Sequence, residues 1–242
     1  HGKVLVHLLS GNFESANNDI KKLLFLVQGS DLHYAKGWGS YFRGNVAFQS
    51  YNAHEVIHAL KEALAFEGLF NYRVYFDALA GLILFKSLEG DESAANMLLK
   101  EMREKAGKLK DTKFQIYYQS ISARVSWQNG QGDKELTWAQ TDWTKQSPAS
   151  YFFLIDVPDV TKIRIMVSHG TDLQAAEALC ILAEVEAFLD GIHNKYHGID
   201  IELLKAMALL RIDRKGLAIE SLKKALLSAE KEDRIMPVME AY

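Results

Sequence analysis

The chain has one cysteine, three prolines and no long uninterrupted apolar run. Each scarcity excludes something. A single cysteine, Cys180, rules out an intramolecular disulfide and fits a reducing cytoplasm. Three prolines in 242 residues leave room for long helices and argue against a many-turned β fold. No stretch approaches the roughly 20 apolar residues that a membrane span needs, so no membrane association is expected. A net charge of -3 offers neither a basic footprint for nucleic acid nor a strongly acidic tail. What is present is ordinary globular composition, 48% hydrophobic and 24% charged, in a chain long enough to bury a sizeable core. It opens HGKVLVHLLSG in mid-helix and without an initiator Met, so it reads as a piece of a longer protein.

The organising stretch is 34–68, YAKGWGSYFRGNVAFQSYNAHEVIHALKEALAFEG. It holds two apolar-periodic runs broken at Tyr51–Asn52. Gly44 allows close approach of the second helix, on which Val56, Leu60 and Ala63 form one buried stripe. A helix pair of about 34 residues with small residues at the crossing is the tetratricopeptide pattern, here with Arg43 where Leu is usual. One pair cannot bury its own apolar face, so neighbours must stack on it.

The rest of the chain supplies those neighbours. A helix ends over Val4–Leu9, and Phe13–Val27 forms the next, closed by Gln28–Gly29–Ser30. Tyr72–Leu88 and Ser93–Ala106 pair across Glu89–Gly90–Asp91. Thr112–Gln128 follows, then a shorter helix over Asp133–Thr141. The period breaks over Asp142–Asp159, DWTKQSPASYFFLIDVPD, which reads as an ordered loop insertion with one short helix at Tyr151–Ile155. It resumes with Val160–Ser168, Leu173–Ile192, Asp200–Ile212 and Gly216–Lys231, the last pair meeting through Ala206, Ala218, Leu222 and Ala225. The tail RIMPVMEAY starts one more element. The expected fold is therefore all-α: a single domain over 1–242, a right-handed tetratricopeptide-like superhelix of antiparallel hairpins. Repeats fill 1–141 and 160–242, with the insertion at 142–159.

Over roughly 150–242 there is a more specific pattern. Asp156 and Pro158 precede Thr161 and the basic helix of Arg164, a turn follows at Gly170, then a long helix, and a closing hairpin ends near Arg234–Ile235. This resembles the C-terminal half of the helical sensor region in large ATP-binding LuxR-type transcription activators, the family of the maltose-regulon activator, with Asp156 standing where Glu is expected. The resemblance implies a sensor that binds a small-molecule inducer, carbohydrate among the candidates, or an inhibitory protein. In that family a phosphate-binding loop lies upstream and a helix-turn-helix downstream. This sequence has neither, so no ATP or other cofactor and no direct DNA contact is expected of it; DNA would be reached through a further C-terminal domain.

In tetratricopeptide stacks the first helix of each pair lines a concave groove. Aligning Gly44 with the small position turns Trp38, Tyr41, Asn45, Phe48 and Gln49 toward it. Aromatic plates beside amides suit sugars and small polar ligands, because rings cover apolar faces and amides satisfy hydroxyls. The alternative is plain core packing, preferred for Phe48. Arg73, Tyr75, Tyr117, Tyr118, Arg124 and Trp127 lie on the next such helices and extend the same surface, at least half of them as packing. The groove set is Trp38, Tyr41, Asn45, Gln49, Arg73, Tyr117 and Arg124.

One motif points elsewhere. His54–Glu55–Val56–Ile57–His58 is a literal HExxH, the zinc-peptidase pattern, with Asp77 as the third ligand it would need. Yet Val56, Leu60 and Ala63 already turn inward, which leaves both histidines on the outer face, and no strand offers the edge such enzymes use. A solvated helix face is the preferred reading, with no metal and no catalytic set. Cys180 reads as structural, among Ala176, Leu179 and Ala183. Gly37–Trp38–Gly39 lacks the remaining glycine spacing and the preceding strand of a dinucleotide loop. Glu220, Lys223, Lys224, Glu230 and Lys231 read as a solvated face. A regulatory sensor comes first, a protein-interaction scaffold second and a zinc hydrolase third.

Overall fold

The computed structural model describes residues 1–69, 71–141 and 154–241, and among them finds thirteen α-helices, two short 3-10 turns and no strand. In order they are α1 (Gly2–Leu9), α2 (Phe13–Val27), α3 (His33–Gln49), α4 (Ala53–Leu64), α5 (Tyr72–Leu88), α6 (Glu92–Leu109) and α7 (Thr112–Gln128). After the second 3-10 turn come α8 (Leu136–Ala139), α9 (Pro158–His169), α10 (Asp172–Gly191), α11 (Gly198–Arg211), α12 (Lys215–Glu232) and α13 (Met236–Ala241). The fold is all-α and repeat-like: most consecutive helices pack on one another.

Local chemistry sets the boundaries. Asn12, Asn52, Asn71, Asp91 and Asp111 each accept a backbone N–H from the helix they open, and Thr171 with Gln174 forms a full capping box on α10. Tyr51, where the 34–68 pattern breaks, takes a left-handed φ of 55° between α3 and α4. The shorter helix expected over Asp133–Thr141 is instead a 3-10 turn, Gly132–Glu135, running into α8. Most of the expected short helix at Tyr151–Ile155 lies outside the described residues; Leu154 and Ile155 are buried and in bends, not helical. The loop also ends earlier than expected, because Pro158 occupies the first turn of α9, where its missing N–H costs nothing.

The helices form two layers. The outer helices bury a single stripe of mostly small residues: Val56, Ala59, Leu60 and Ala63 on α4; Ala95, Met102 and Ala106 on α6; Ala218, Ser221, Ala225 and Ala229 on α12. The inner helices α5 and α9 are buried on nearly every face. Besides their sequence neighbours, inner helices pack on one another in the order α3, α5, α7, α9, α11, α13, and α13 returns to α3. The inner layer thus closes on itself. Gly44 and Gly81 make the α3–α4–α5 junction possible: a Cβ at Gly44 would sit 2.4 Å from Leu60 Cδ2, and one at Gly81 2.7 Å from Leu60 Cδ1.

Two registers differ from expectation. Cys180 is exposed, because Ala175, Ala178 and Leu182 are the residues α10 turns inward. Leu222 is 41% exposed; α12 seats on α11 through its alanines, and its leucines flank the contact.

Candidate functional site

The inner layer places an unusual number of polar side chains out of water. Asp77, within the apolar run of α5, is 1% exposed. Its carboxylate accepts the hydroxyls of Tyr41 from α3 and Tyr117 from α7, each at 2.5 Å, and the backbone N–H groups of Leu154 and Ile155, each at 3.1 Å. Burial pushes its pKa above the ordinary value, and the four donors pull against that shift. Both tyrosines are held far above the usual phenol range, by burial first and the Asp77 charge second.

A second cluster surrounds Arg124 on α7. Its Nη1 donates to Asp156 Oδ1 at 2.9 Å and to the Ile155 carbonyl at 2.8 Å. Its Nε donates to Glu240 Oε1 at 3.0 Å and its Nη2 to Glu240 Oε2, a bidentate fork onto α13. Gln128 adds a third donor to Glu240 at 2.7 Å. Asp156 also accepts the hydroxyls of Ser120 and Thr161, each at 2.6 Å. Burial works against the Arg124 charge, yet Glu240 and Asp156 outweigh it and raise its pKa above the usual arginine value. Beside it, Arg164 of α9 reaches Asp200 with Nη2 at 2.9 Å.

The third cluster ties the ends together. Arg234, fully buried, packs against the rings of both Phe13 and Tyr196, 4.7 and 4.6 Å from their centroids, and the two rings touch each other at 5.7 Å. It donates to Gln49 Oε1 through both Nε and Nη2 at 3.2 Å, while Gln49 donates to the Tyr196 hydroxyl at 2.9 Å. Tyr196 in turn donates to Asn45 at 2.8 Å. The backbone N–H of Lys195 meets the Leu9 carbonyl at 2.7 Å, so the first hairpin touches the segment between α10 and α11.

The groove residues expected from the sequence divide accordingly. Tyr41, Asn45, Gln49, Tyr117 and Arg124 face the inside of the layer, but each is engaged by the chain itself, through Asp77, Ile155, Asp156, Tyr196, Arg234 or Glu240. Trp38 is core, stacked on His1 at 5.1 Å and edge-on to Tyr41 at 5.9 Å, and Arg73 is half-buried at the start of α5. Phe48 is core. Tyr75 turns away and donates to Glu101 of the outer helix α6. Sequence reasoning did not assign Tyr196 or Glu240 to the site, and it considered Asp77 only as a metal ligand. A lone acid in the run Tyr75–Phe85 was the available signal.

Of the two cavities that bear on a ligand, one lies among Phe48, Arg124, Asp156, Arg164, Asp200 and Glu240 and measures about 10 Å³, room for one water molecule. The other is an open cleft of about 350 Å³ between α10, α11 and α12, lined by Glu186, Asp190, Lys195, Glu202, Lys224 and Glu232. It is large enough for a small ligand but has no aromatic wall, and Glu186 is already paired with Lys205 at 2.6 Å.

His54 and His58 sit on the exposed face of α4, with rings 6.5 Å apart. His58 Nδ1 lies 3.2 Å from Arg43, which also reaches Glu55 and Glu62. Asp77 is on the inner side with its oxygens occupied, and among the described residues no group of three His, Cys, Asp or Glu side chains could hold a metal ion. No described helix is long and apolar enough to cross a membrane.

Compared with known proteins, the chain matches no family model and no curated sequence. The LuxR-type resemblance therefore stands on Asp156, Pro158, Thr161, Arg164, Gly170 and Arg234–Ile235 alone. Several of those residues hold structural posts here: Asp156 accepts from Thr161, Arg164 pairs with Asp200, and Arg234 donates to Gln49.

Proposed function

We propose that this chain is a regulatory binding domain, the sensor region of a LuxR-type activator, and that its ligand enters on the concave side. The observation that carries the reading is that the inner face is polar yet filled by the chain's own segments, 154–157 and α13, through side-chain hydrogen bonds. Such bonds can be exchanged for those of a ligand at little net cost, whereas an apolar plug would leave nothing for a polar ligand to replace. No catalytic geometry is needed for this. A small-molecule inducer, carbohydrate among the candidates, would meet the Tyr41, Asn45, Gln49 and Tyr117 groups that now meet the chain.

The test is a thermal-shift panel of oligosaccharides, sugar phosphates, amino acids and zinc, with each hit mapped by hydrogen exchange. A ligand at about 100 times its dissociation constant adds about 2.7 kcal/mol of stability. A hit whose exchange changes lie on α3, α5, α7 and α13 supports the reading; silence, or changes confined to the cleft between α10 and α12, overturns it. The regulator assignment has its own test in the full-length coding sequence, where a phosphate-binding loop upstream and a helix-turn-helix downstream are expected.

One observation favours a second reading, a protein-interaction scaffold. Ile219, Leu222 and Leu226 recur along α12 at helical spacing and are 53%, 41% and 43% exposed, an apolar stripe suited to a partner helix. Loss of partner capture on Leu226→Asp, with small-molecule binding intact, would support it.

A further inference from the structure

The Arg124–Arg164 corner contains a donor that the fold does not use. Arg164 is 5% exposed, and its Nη1 has no hydrogen-bond partner among the described residues. Burying such a donor without an acceptor is unfavourable, so the fold carries a penalty that an acceptor would relieve. That guanidinium lines the same water-sized cavity as Arg124, Asp156, Asp200 and Glu240. The neighbouring guanidinium spends its fork on Glu240, and Glu240 rides on α13, a helix of six residues that is too short to be stable unaided.

Glu240 therefore stands where the anionic group of a ligand would stand. We propose that Arg124 and Arg164 form an anion site, held in this structure by the chain's own Glu240, and that a carboxylate or phosphate ligand displaces Glu240 and releases α13. This deepens the sensor reading above and rests on it: it names the ligand class and the element that moves. A carboxylate can replace Glu240 on the Arg124 fork charge for charge. A phosphate offers further oxygens, one of which can take the idle Nη1 of Arg164. The cavity is too small to admit either beside Glu240, so entry and release are one event. Competition from Glu240 lowers the apparent affinity by the fraction of molecules in which α13 is open.

The experiment measures binding of glucose 6-phosphate, inorganic phosphate, citrate and neutral glucose to the wild-type chain and to Glu240→Gln, by calorimetry at fixed ionic strength. Glu240→Gln keeps the side chain's shape and one acceptor, and Arg124 keeps Asp156 as its counter-ion; circular dichroism checks that the variant is folded. The proposal expects the anionic probes to bind Glu240→Gln at least tenfold more tightly than wild type, and glucose to show no such gain. The phosphate and citrate arms tell which anion the corner prefers. In the wild type, probe binding should speed hydrogen exchange at the amides of 238–241. Adding Arg164→Met to Glu240→Gln should return affinity to the wild-type level or below, with circular dichroism confirming that the double variant is folded. Equal affinities in wild type and Glu240→Gln, no binding by either, or unchanged exchange in α13 would overturn the proposal. A neutral sugar that binds the inner helices regardless of Glu240 would sink the anion site and leave the sensor reading intact.

Discussion

The outer and inner helices bury side chains by different rules. Outer helix α12 hides Ala218, Ser221, Ala225 and Ala229 and leaves its charges in water. Inner helices α5, α7 and α9 hide Asp77, Ser120, Arg124, Thr161 and Arg164 as well as their apolar residues. An outer helix has one neighbouring surface, so a single stripe suffices. An inner helix meets its hairpin partner, the inner helices before and after it, and whatever fills the concave side, so its polar positions fall in the interior and need partners there. Asp77 has four donors and Arg124 has two carboxylates. The lesson is that polar residues on the inner layer work as fasteners between elements far apart in the chain.

The sharpest way to break that contrast is Arg124→Met. It leaves Asp156 and Glu240 buried without their cation, and the expected loss is about 3–5 kcal/mol, read from urea unfolding. A loss under about 1 kcal/mol would mean that the inner network carries little stability. The apolar junction between the layers should give a smaller effect. Gly44→Ala forces a methyl group against the Leu60 side chain and backbone, for an expected loss of about 1–3 kcal/mol in the same assay.

This contrast also explains what the sequence disclosed. The boundaries of α2, α5 and α7 follow directly from periodicity and caps, because Asn12, Asn71 and Asp111 announce them locally. The stripe on α4 was equally legible, since one-sided burial is what a 3.6-residue period encodes. The candidate site was legible only in half. Aligning Gly44 with the small repeat position turned Tyr41, Asn45 and Gln49 inward, and the structure buries their side chains. Sequence spacing could not say that residues 36, 147 or 116 positions away would occupy Tyr41, Gln49 and Arg124, as Asp77, Tyr196 and Glu240 do. Cys180 was misplaced because α10 is rich in alanine and leucine on several faces, so its period does not select one.

Acidification tests the inner layer through Asp77. Burial raises the Asp77 pKa above 3.8, so the folded state holds a proton there more tightly than the unfolded chain. Its contribution to stability is then fully present below about pH 3.8 and is lost as pH rises through the raised value. Asp77→Asn does not titrate. The stability difference between wild type and Asp77→Asn should therefore move in favour of wild type as pH falls from neutral toward 4, in urea unfolding across that range. A difference that moves the other way would mean that the tyrosine and backbone donors outweigh burial.

The smallest effect is expected on the outer face of α4, and it is the control that gives the others meaning. His54 and His58 are exposed and stacked on each other, and His58 links to Arg43 and its surface partners Glu55 and Glu62. Exposed ion pairs are worth about 0–1 kcal/mol, because solvent screens the charges and ordering long side chains costs entropy. His54→Ala combined with His58→Ala should change stability by about 0.5 kcal/mol or less, and zinc should not raise the melting temperature of the wild type above that of the double variant. A zinc-dependent rise that vanishes with the histidines would put a metal on the outer layer. It would also show that the two layers divide chemistry as well as burial, with the HExxH side acting on its own.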